Sequence, residues 1–352
     1  MTDSLPALYA NWIEECLDGA VPDETLATCE RCPMCEPVAS SHAGTAAFDS
    51  RTKCCTYTPN LPSFLAGLVL RDASDDRAFG RLSLLRRIEA RDGVSPLGVA
   101  PPRDAEVLYN DRKSERFGVD RTLRCPHYVE PDGRCGIWAH RNAICSTWFC
   151  KHVRGAIGKS FWASIESLLV EVEESVATWC ALELGIGADS AVRRVASRIG
   201  PLVPLRRAAG AASPDEADFG PWRGRVDAYF VRCAELVAPL SWSDVRRLGG
   251  ARVTALERSA RHRFERLRHP EIPDALRVGS FEVVRMSATG GLVRTYGMYD
   301  LIDLPHGLLA QLHRFDGRAT REVLAEIARD EGKPVDDATL TMLVDFGVLE
   351  SA

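Results

Sequence analysis

Nine of the twelve cysteines in this chain of 352 residues lie between positions 29 and 150, and this concentration of sulfur limits what the chain can fold into. From 29 to 60 the sequence is rich in Cys, Pro, Gly, Ser and Thr and has no periodic apolar pattern. Such a segment buries little apolar surface, so something else must hold it, and a structural metal contributes about 10–16 kcal/mol in small peptides. The sequence therefore predicts a metal or iron–sulfur site built from two distant segments, with these ligands: Cys29, Cys32, Cys35, Cys54, Cys55, Cys125, Cys135, Cys145 and Cys150.

Thiolate sulfur is the ligand that selects zinc, Cu(I) and iron–sulfur clusters. The regular spacing of the cysteines in 29–35 matches the first three ligands of a bacterial ferredoxin run, whose fourth position is Ala39 here. The missing ligand must come from elsewhere, and Cys125 is a candidate because a proline follows it, as in ferredoxins. We expect one or two [4Fe–4S] clusters, with zinc as the alternative. Two four-sulfur sites, one cluster with one zinc, and a single site with spare thiols are all compatible with nine cysteines.

The adjacent pair Cys54 and Cys55 bears on the number of sites. Neighbouring side chains in an extended chain point to opposite sides. We therefore expect these two sulfurs to serve two different metal centres.

Four other side chains of the region are candidates for supporting the ligands: Arg141, His127, His140 and His152. Each histidine could also replace a cysteine as a ligand. The Arg141 guanidinium could donate hydrogen bonds to sulfur, or it could fix the loop by binding backbone carbonyls. The sequence does not decide between these two roles.

The cysteine array resembles the YkgJ-like CxxCxxCC family, which is described as zinc- or iron-chelating and also takes in flagellin lysine-N-methylases. The residues of the second half that match the family pattern are Cys125, Cys135, Ile137, Arg141, Cys145 and Cys150. Three positions depart from it: Trp138, Asn142 and Ser146. Eighteen residues also separate Cys35 from the double cysteine, which follows closely in the family. The resemblance covers roughly 29–152 and implies metal binding.

Helical periodicity predicts a short helix over 5–18, two helices within 61–91 and a helix over 244–269. The clearest helix covers 155–184, and its apolar stripe consists of Phe161, Ile165, Leu168, Leu169, Val172, Val176 and Trp179. Four acidic residues lie off this stripe: Glu166, Glu171, Glu173 and Glu174. The segment 92–124 is predicted to be a loop, and 189–240 to contain helices broken at glycine and proline.

The pattern changes after Pro270 and Pro273, where two apolar segments separated by Gly290-Gly291 predict a β-hairpin. Three short helices are expected to follow, with a turn at Asp316-Gly317. The order of elements over 279–351 resembles the PqqD-like winged-helix domains that recognise precursor peptides. The resemblance implies that a peptide adds as a strand to a sheet edge. A winged helix used only for packing or dimer contacts is the alternative.

These patterns predict a mainly α fold with a small α+β part. We expect an irregular Cys-rich metal-binding domain with an N-terminal helix over 1–155, a helical domain packing on it over 156–270, and a winged-helix-like domain over 271–352.

Composition excludes some partners. The chain is 45% hydrophobic with a formal net charge of −5, which gives no overall attraction to nucleic acid or anionic lipid. Eight arginines against three acidic residues in 244–269 could contact phosphates, but the acids favour ion pairing on an exposed helix. We expect no membrane partner, because no apolar run reaches about 18 residues. A cytoplasmic location is predicted, where clustered cysteines bind metal more often than they form disulfides, which are the alternative here.

Three functions follow as hypotheses. The first is an iron–sulfur protein in electron transfer, or as the redox module of a peptide- or protein-modifying system. The second is a zinc-stabilised module that binds a peptide or nucleic acid. The third, suggested only by the family resemblance, is a lysine N-methylase-like enzyme, for which the sequence has no S-adenosylmethionine motif. No other catalytic motif is recognisable, and the oligomeric state is not predicted.

Overall fold

Eleven strands and eleven α-helices are found in the computed structural model, which describes residues 5–29, 32–35, 48–91, 93–130, 132–187, 216–332 and 334–352. The helices are α1 (Ala7–Leu17), α2 (Ser63–Arg71), α3 (Ala78–Glu89), α4 (Arg103–Arg116), α5 (Ala143–Thr147), α6 (Gly155–Glu183), α7 (Val226–Val237), α8 (Trp242–Arg268), α9 (His306–Gln311), α10 (Thr320–Glu331) and α11 (Asp337–Asp345). The strands are β1 (Leu61–Pro62), β2 (Val94–Ser95), β3 (Gly98–Val99), β4 (Tyr128–Val129), β5 (Arg134–Cys135), β6 (Ala275–Val278), β7 (Glu282–Met286), β8 (Gly290–Arg294), β9 (Leu301–Pro305), β10 (Asp316–Ala319) and β11 (Leu349–Ser351). The predicted class, mainly α with a small α+β part, is confirmed.

The strands form four small antiparallel sheets. Two of them, ordered β1-β3-β2 and β4-β5, belong to the first half of the chain. The other two, ordered β10-β6-β11 and β7-β8-β9, lie in the last eighty residues. No sheet in the described ranges has more than three strands, so helix packing builds most of the core.

One apolar core runs from Leu5 to Leu267 and therefore includes parts of both the first and the second predicted domain. The predicted stripe of α6 lies in it, with Phe161, Ile165 and Val172 fully buried. Helix α6 packs against α8, and α2 packs against α7. A separate core from Leu276 to Leu349 belongs to the C-terminal region. Helix α6 thus supplies buried side chains to the centre of the larger core.

Two predictions about the larger core are wrong. The segment 92–124, predicted as a loop, contains α4 and the short strands β2 and β3. Its charged residues are compatible with an exposed helix. Pro102, directly before Arg103, marks where that helix begins. Glu173, predicted off the apolar stripe of α6, is buried, because Tyr9 and the backbone of Ala143 supply hydrogen bonds to it.

The arginine-rich helix α8 begins with a capping box between Ser241 and Asp244, which pairs the first backbone N–H groups with side-chain oxygens. Several of its arginines are ion-paired. Arg246 and Arg261 contact Glu257 at 2.9 and 3.1 Å. Glu257 itself is buried, whereas an exposed position was predicted for the acidic residues of this helix. Its carboxylate accepts a hydrogen bond from the Trp242 indole N–H at 3.4 Å.

In the C-terminal region the predicted hairpin is confirmed as β7 and β8, although Gly290 and Gly291 belong to β8 rather than to the turn. A third strand, β9, pairs with β8. The three predicted short helices are α9, α10 and α11, and Gly332 ends α10 in the left-handed conformation that favours glycine. The predicted turn at Asp316-Gly317 is wrong, because these residues begin β10, which pairs with β6.

Some predictions lie outside the described residues. They are the helices predicted over 189–215, the chain breaks near Gly200 and Pro204, and the position of Ala39. Among the helices in the described ranges, none has the length and apolarity needed to cross a bilayer.

Candidate metal centre

The nine predicted cysteines come together in two groups. The thiols of Cys29 and Cys54 hydrogen-bond to each other, and so do those of Cys54 and Cys55. Cys55 lies near Cys125 and Cys135, close enough that each of them affects its pKa. Cys145 in turn interacts with Cys135 and Cys54. We call this set the inner thiol group: Cys29, Cys54, Cys55, Cys125, Cys135 and Cys145.

The remaining three cysteines form the outer thiol group: Cys32, Cys35 and Cys150. The Cys32 and Cys35 thiols hydrogen-bond to each other, and Cys150 lies near enough to Cys32 for its pKa to be affected. Cys150 is buried in a small apolar cluster with Met34 and Phe48. The two groups meet where Cys32 approaches Cys54.

A turn over 49–57 presents the adjacent cysteines. Asp49 accepts a hydrogen bond from the Arg51 N–H at 2.8 Å, and the Thr52 hydroxyl donates to the carbonyl of Gly118 at 2.7 Å. The N–H of Cys125 donates to the carbonyl of Cys55 at 2.8 Å, which joins the two halves of the site. The predicted divergence of Cys54 and Cys55 is wrong, because the chain turns here rather than extending and the two thiols meet.

Backbone amides donate to two of the inner sulfurs. The N–H of His127 hydrogen-bonds to Cys125, and the N–H of Ile137 hydrogen-bonds to Cys135. In both cases the donor lies two residues after the cysteine. Helix α3 fixes the second loop, because a Cβ on Gly80 would lie 2.0 Å from the carbonyl oxygen of Gly136. Only glycine permits that approach.

Cys145 is placed by the short helix α5. The Asn142 side chain caps this helix by accepting the N–H of Cys145 at 3.1 Å. The buried carboxylate of Glu173 accepts the N–H of Ala143 at 2.6 Å and the Tyr9 hydroxyl at 2.5 Å. Burial raises the pKa of Glu173 to about 8. Helices α1, α5 and α6 are therefore joined by one carboxyl group behind Cys145.

Arg141 lies inside the inner thiol group and is 7% exposed. Four thiols lie near enough to its guanidinium to affect its pKa: Cys135, Cys29, Cys145 and Cys54. Its Nε donates to the carbonyl of Trp138 at 3.0 Å, and its guanidinium stacks 3.4 Å from the centre of the Trp138 ring. Arg141 thus fixes the loop through a backbone carbonyl and also places a positive charge among four thiols.

The sulfurs of the inner group are withdrawn from water. Burial raises the pKa of the Cys135 thiol to about 11 and raises those of Cys125 and Cys145 as well. These thiols are therefore protonated at neutral pH unless a cation displaces their protons, as metal binding does.

The three histidines have separate environments. His127 is fully buried, its Nδ1 lies 2.7 Å from the Ser83 hydroxyl, and burial lowers its pKa to about 3. His140 pairs with Asp72 at 2.9 Å, outside both thiol groups. His152 lies beyond Cys150, with its Nδ1 3.3 Å from the hydroxyl of Tyr296.

The outer thiol group borders the C-terminal region. Tyr299 packs against Phe48 and Trp148 with ring centres 5.2 and 6.1 Å apart. The N–H of His152 donates to the buried Asp300 at 3.0 Å. Arg154 forms a two-pronged ion pair with Asp345 on α11, with one contact at 2.7 Å.

Sequence reasoning missed two of the polar residues that support the site. Glu24 accepts the Val153 N–H and the Trp162 indole N–H, both at 2.7 Å, and so holds the chain just after Cys150. Glu173 looked like one of several surface glutamates of α6. No spacing or motif identifies either residue, because their partners are backbone N–H groups, the Tyr9 hydroxyl and the Trp162 indole N–H, all far away in sequence.

A cleft of about 480 Å³ lies between α8 and the chain at 18–24. Its lining includes Asp18, Asp23, Arg154, Phe264 and Arg268 rather than the thiols. The cleft and the cysteine site are therefore separate features.

The fold and site define a mainly helical protein with two adjoining groups of free thiols. All twelve cysteines are described, and each is unbridged. Within the described ranges, no three Cys, His, Asp or Glu side chains already surround a point that could hold a metal ion. No protein-family model, curated protein or solved structure matches the chain.

Proposed function

We propose that the inner thiol group holds an iron–sulfur cluster, and that the protein acts in electron transfer or as the redox module of a peptide- or protein-modifying system. One observation carries the proposal. The thiols of Cys29, Cys54, Cys135 and Cys145, from distant parts of the chain, lie around the buried guanidinium of Arg141. Four cysteine thiolates are the usual ligand set of a [4Fe–4S] cluster.

Charge balance supports this ligand set. Burial lowers the pKa of Arg141, because a guanidinium loses hydration when it is enclosed. A buried charge is tolerated when an opposite charge compensates it. A cluster held by four thiolates is anionic, so its charge is opposite to that of the guanidinium that it would lie beside.

The amide donors support it too. A hydrogen bond from the N–H of Ile137 stabilises negative charge on the sulfur of Cys135, one of the four proposed ligands, and the N–H of His127 does the same for the flanking Cys125. Such bonds also tune the reduction potential of a cluster, which when bound supplies one-electron transfer.

Cysteine thiolates are suitable ligands for an iron–sulfur cluster, although the free thiols do not point to a common centre. Protonated thiols pair with one another, as Cys29 does with Cys54. Loss of the protons removes those hydrogen bonds, and rotation about the Cα–Cβ bonds then reorients the sulfurs. Cys55 and Cys125 flank the four proposed ligands.

The test is the composition of the full-length protein purified without oxygen. We expect a brown protein with about four iron atoms and an equal amount of acid-labile sulfide per chain. Iron, zinc and sulfide are measured on the same sample after removal of loosely bound metal. A colourless protein with zinc and no sulfide would overturn the cluster and favour the zinc-stabilised module.

For residues 271–352 we propose a peptide partner that pairs with the edge strand β7. Strand β7 has a neighbour on one side only within its sheet. Val283 and Met286 on this strand are 42% and 55% exposed. An exposed apolar edge strand is a template for strand addition.

A displayed library of extended peptides, selected on the full-length protein, tests this partner. We expect the selected peptides to lose at least tenfold in affinity for Val283→Lys, because a charge at the edge opposes strand addition. Val170→Lys is the matched control, since Val170 is an equally exposed valine on α6. Equal binding to both variants contradicts the proposal.

We also propose a cytoplasmic location for the protein. The twelve unbridged thiols support a reducing compartment, where clustered cysteines bind metal or remain reduced.

A further inference from the structure

The outer thiol group takes no part in the proposed cluster, and its geometry differs from that of the inner group. Cys32 and Cys35 are the ends of the turn Cys32-Pro33-Met34-Cys35, in which the N–H of Cys35 donates to the carbonyl of Cys32 at 3.0 Å. A turn closed in this way brings its end Cα atoms within about 7 Å. A disulfide spans about 4.4–6.8 Å between Cα atoms. The turn therefore holds the two cysteines within bonding range.

The turn is also preorganised. Pro33 occupies the second position, where its fixed φ suits a β-turn. Phe48 stacks on Trp148 beside it and donates its N–H to the carbonyl of Met34 at 2.9 Å. Closing a disulfide here consequently needs little backbone movement.

The two thiols differ in character. They hydrogen-bond to each other, and burial together with the charge of Cys32 raises the pKa of Cys35 to about 12. We assign Cys32, the first residue of the turn, as the attacking sulfur and Cys35 as the sulfur that releases the mixed disulfide, and the variants Cys35→Ser and Cys32→Ser test this order. Both residues are partly exposed, whereas Cys150 behind them is buried.

We propose that Cys32 and Cys35 form a redox-active dithiol that reduces disulfides of small thiols or proteins. The Cys32 thiolate attacks one sulfur of a disulfide RSSR, which forms a mixed disulfide and releases RS⁻. The Cys35 sulfur, after losing its proton, attacks Cys32 and releases the second RS⁻. The two thiolates take up the two protons lost by the cysteines. One disulfide is reduced to two thiols while the protein dithiol is oxidised to a disulfide, and no metal takes part.

The sequence provides a clean readout. Trypsin cleaves after Arg31 and Arg51, and the resulting peptide 32–51 contains Cys32 and Cys35 and no other cysteine. The full-length protein, purified without oxygen, is equilibrated with mixtures of reduced and oxidised glutathione. The remaining thiols are then alkylated, the protein is digested with trypsin, and the masses of the peptides are measured by mass spectrometry. We expect peptide 32–51 to pass from two alkyl groups to none as the oxidised fraction rises.

The matched control is the pair Cys180 and Cys233, which is also hydrogen-bonded but is buried between α6 and α7. It should stay alkylated in mixtures that oxidise peptide 32–51. In Cys35→Ser, glutathione should stay attached to Cys32, because the second thiol that releases it is missing. In Cys32→Ser no such adduct should form at Cys35.

The iron content of the same samples separates this inference from the proposed function. Oxidation of peptide 32–51 with full retention of iron supports both the redox-active dithiol and the proposed cluster. Oxidation in a protein that never contained iron supports the dithiol and overturns the cluster. Two outcomes overturn the proposed dithiol. The first is a peptide 32–51 that stays doubly alkylated in every mixture. The second is a loss of iron in proportion to the oxidation of peptide 32–51, which would make Cys32 and Cys35 cluster ligands.

Discussion

Cys145→Ser is expected to remove the proposed cluster from the protein and to lower its free energy of unfolding by roughly 5 kcal/mol or more. The serine hydroxyl has nearly the volume of the thiol but does not deprotonate to replace a thiolate ligand. Cys145 interacts with three elements of the site, namely Cys135, Cys54 and Arg141. Loss of its thiolate therefore leaves an open ligand position in the proposed cluster site. Iron and sulfide analysis with denaturant unfolding under anaerobic conditions measures the effect.

Cys16→Ala is the control for this experiment. Cys16 is completely buried on α1, and its charge partners Glu257, Arg261 and Arg246 belong to α8 rather than to the thiol groups. We expect an unchanged metal content and a loss of about 1 kcal/mol, as for other small deletions in a core. If Cys145→Ser kept its full metal content, the ligand set around Arg141 would be incorrect.

The second large effect concerns the buried carboxyl of Glu173. Burial raises its pKa to about 8 in the folded protein, against an ordinary value of 4.5. Its contribution to stability is therefore complete below pH 4.5 and is lost as the pH rises through 8. Since each pKa unit corresponds to about 1.4 kcal/mol, the full loss is on the order of 4–5 kcal/mol.

Glu173→Gln should remove this part of the pH dependence. One oxygen, Oε1, accepts the hydrogen bonds from Tyr9 and Ala143, and glutamine retains such an oxygen. The variant is thus expected to match the wild type near pH 5 and to exceed it by several kcal/mol at pH 9. Unfolding free energies of both proteins are compared at each pH, so that the titration of shared groups cancels. Glu174→Gln, one residue further along α6 and not buried, is the control. Parallel pH profiles for wild type and Glu173→Gln would contradict the expectation.

Local patterns were sufficient to predict the elements that depend on local physics. The apolar stripe of α6 follows from its periodicity, and the three short helices of the C-terminal region were expected after the hairpin. The hairpin of β7 and β8 was recognisable from alternation and glycine. Helix α4 was missed because few of its residues are apolar, so that its charged sequence looks like a loop.

The site was predictable as a set of residues but not as an arrangement. Cysteine spacing identified the nine thiols, yet it could not assign Cys32 and Cys35 to one group and Cys29 to another. That division depends on a turn at 49–57 and on the backbone bond between Cys125 and Cys55, which join segments seventy residues apart. Glu173 and Glu24 carry no sequence signal at all, because burial rather than residue type makes them important.

The order of the proposed ligands along the chain has a consequence for biosynthesis. Cys29 is translated more than a hundred residues before Cys145, and the helix that supplies Glu173 to the Cys145 loop follows later still. Cys29 and Cys54 therefore lack the other two proposed ligands until Cys145 has left the ribosome, and the loop of Cys145 lacks Glu173 until α6 has followed. Delivery of the proposed cluster would then be a late event, and the newly made chain would need a reducing environment, or a protein that shields its thiols, until that helix has folded.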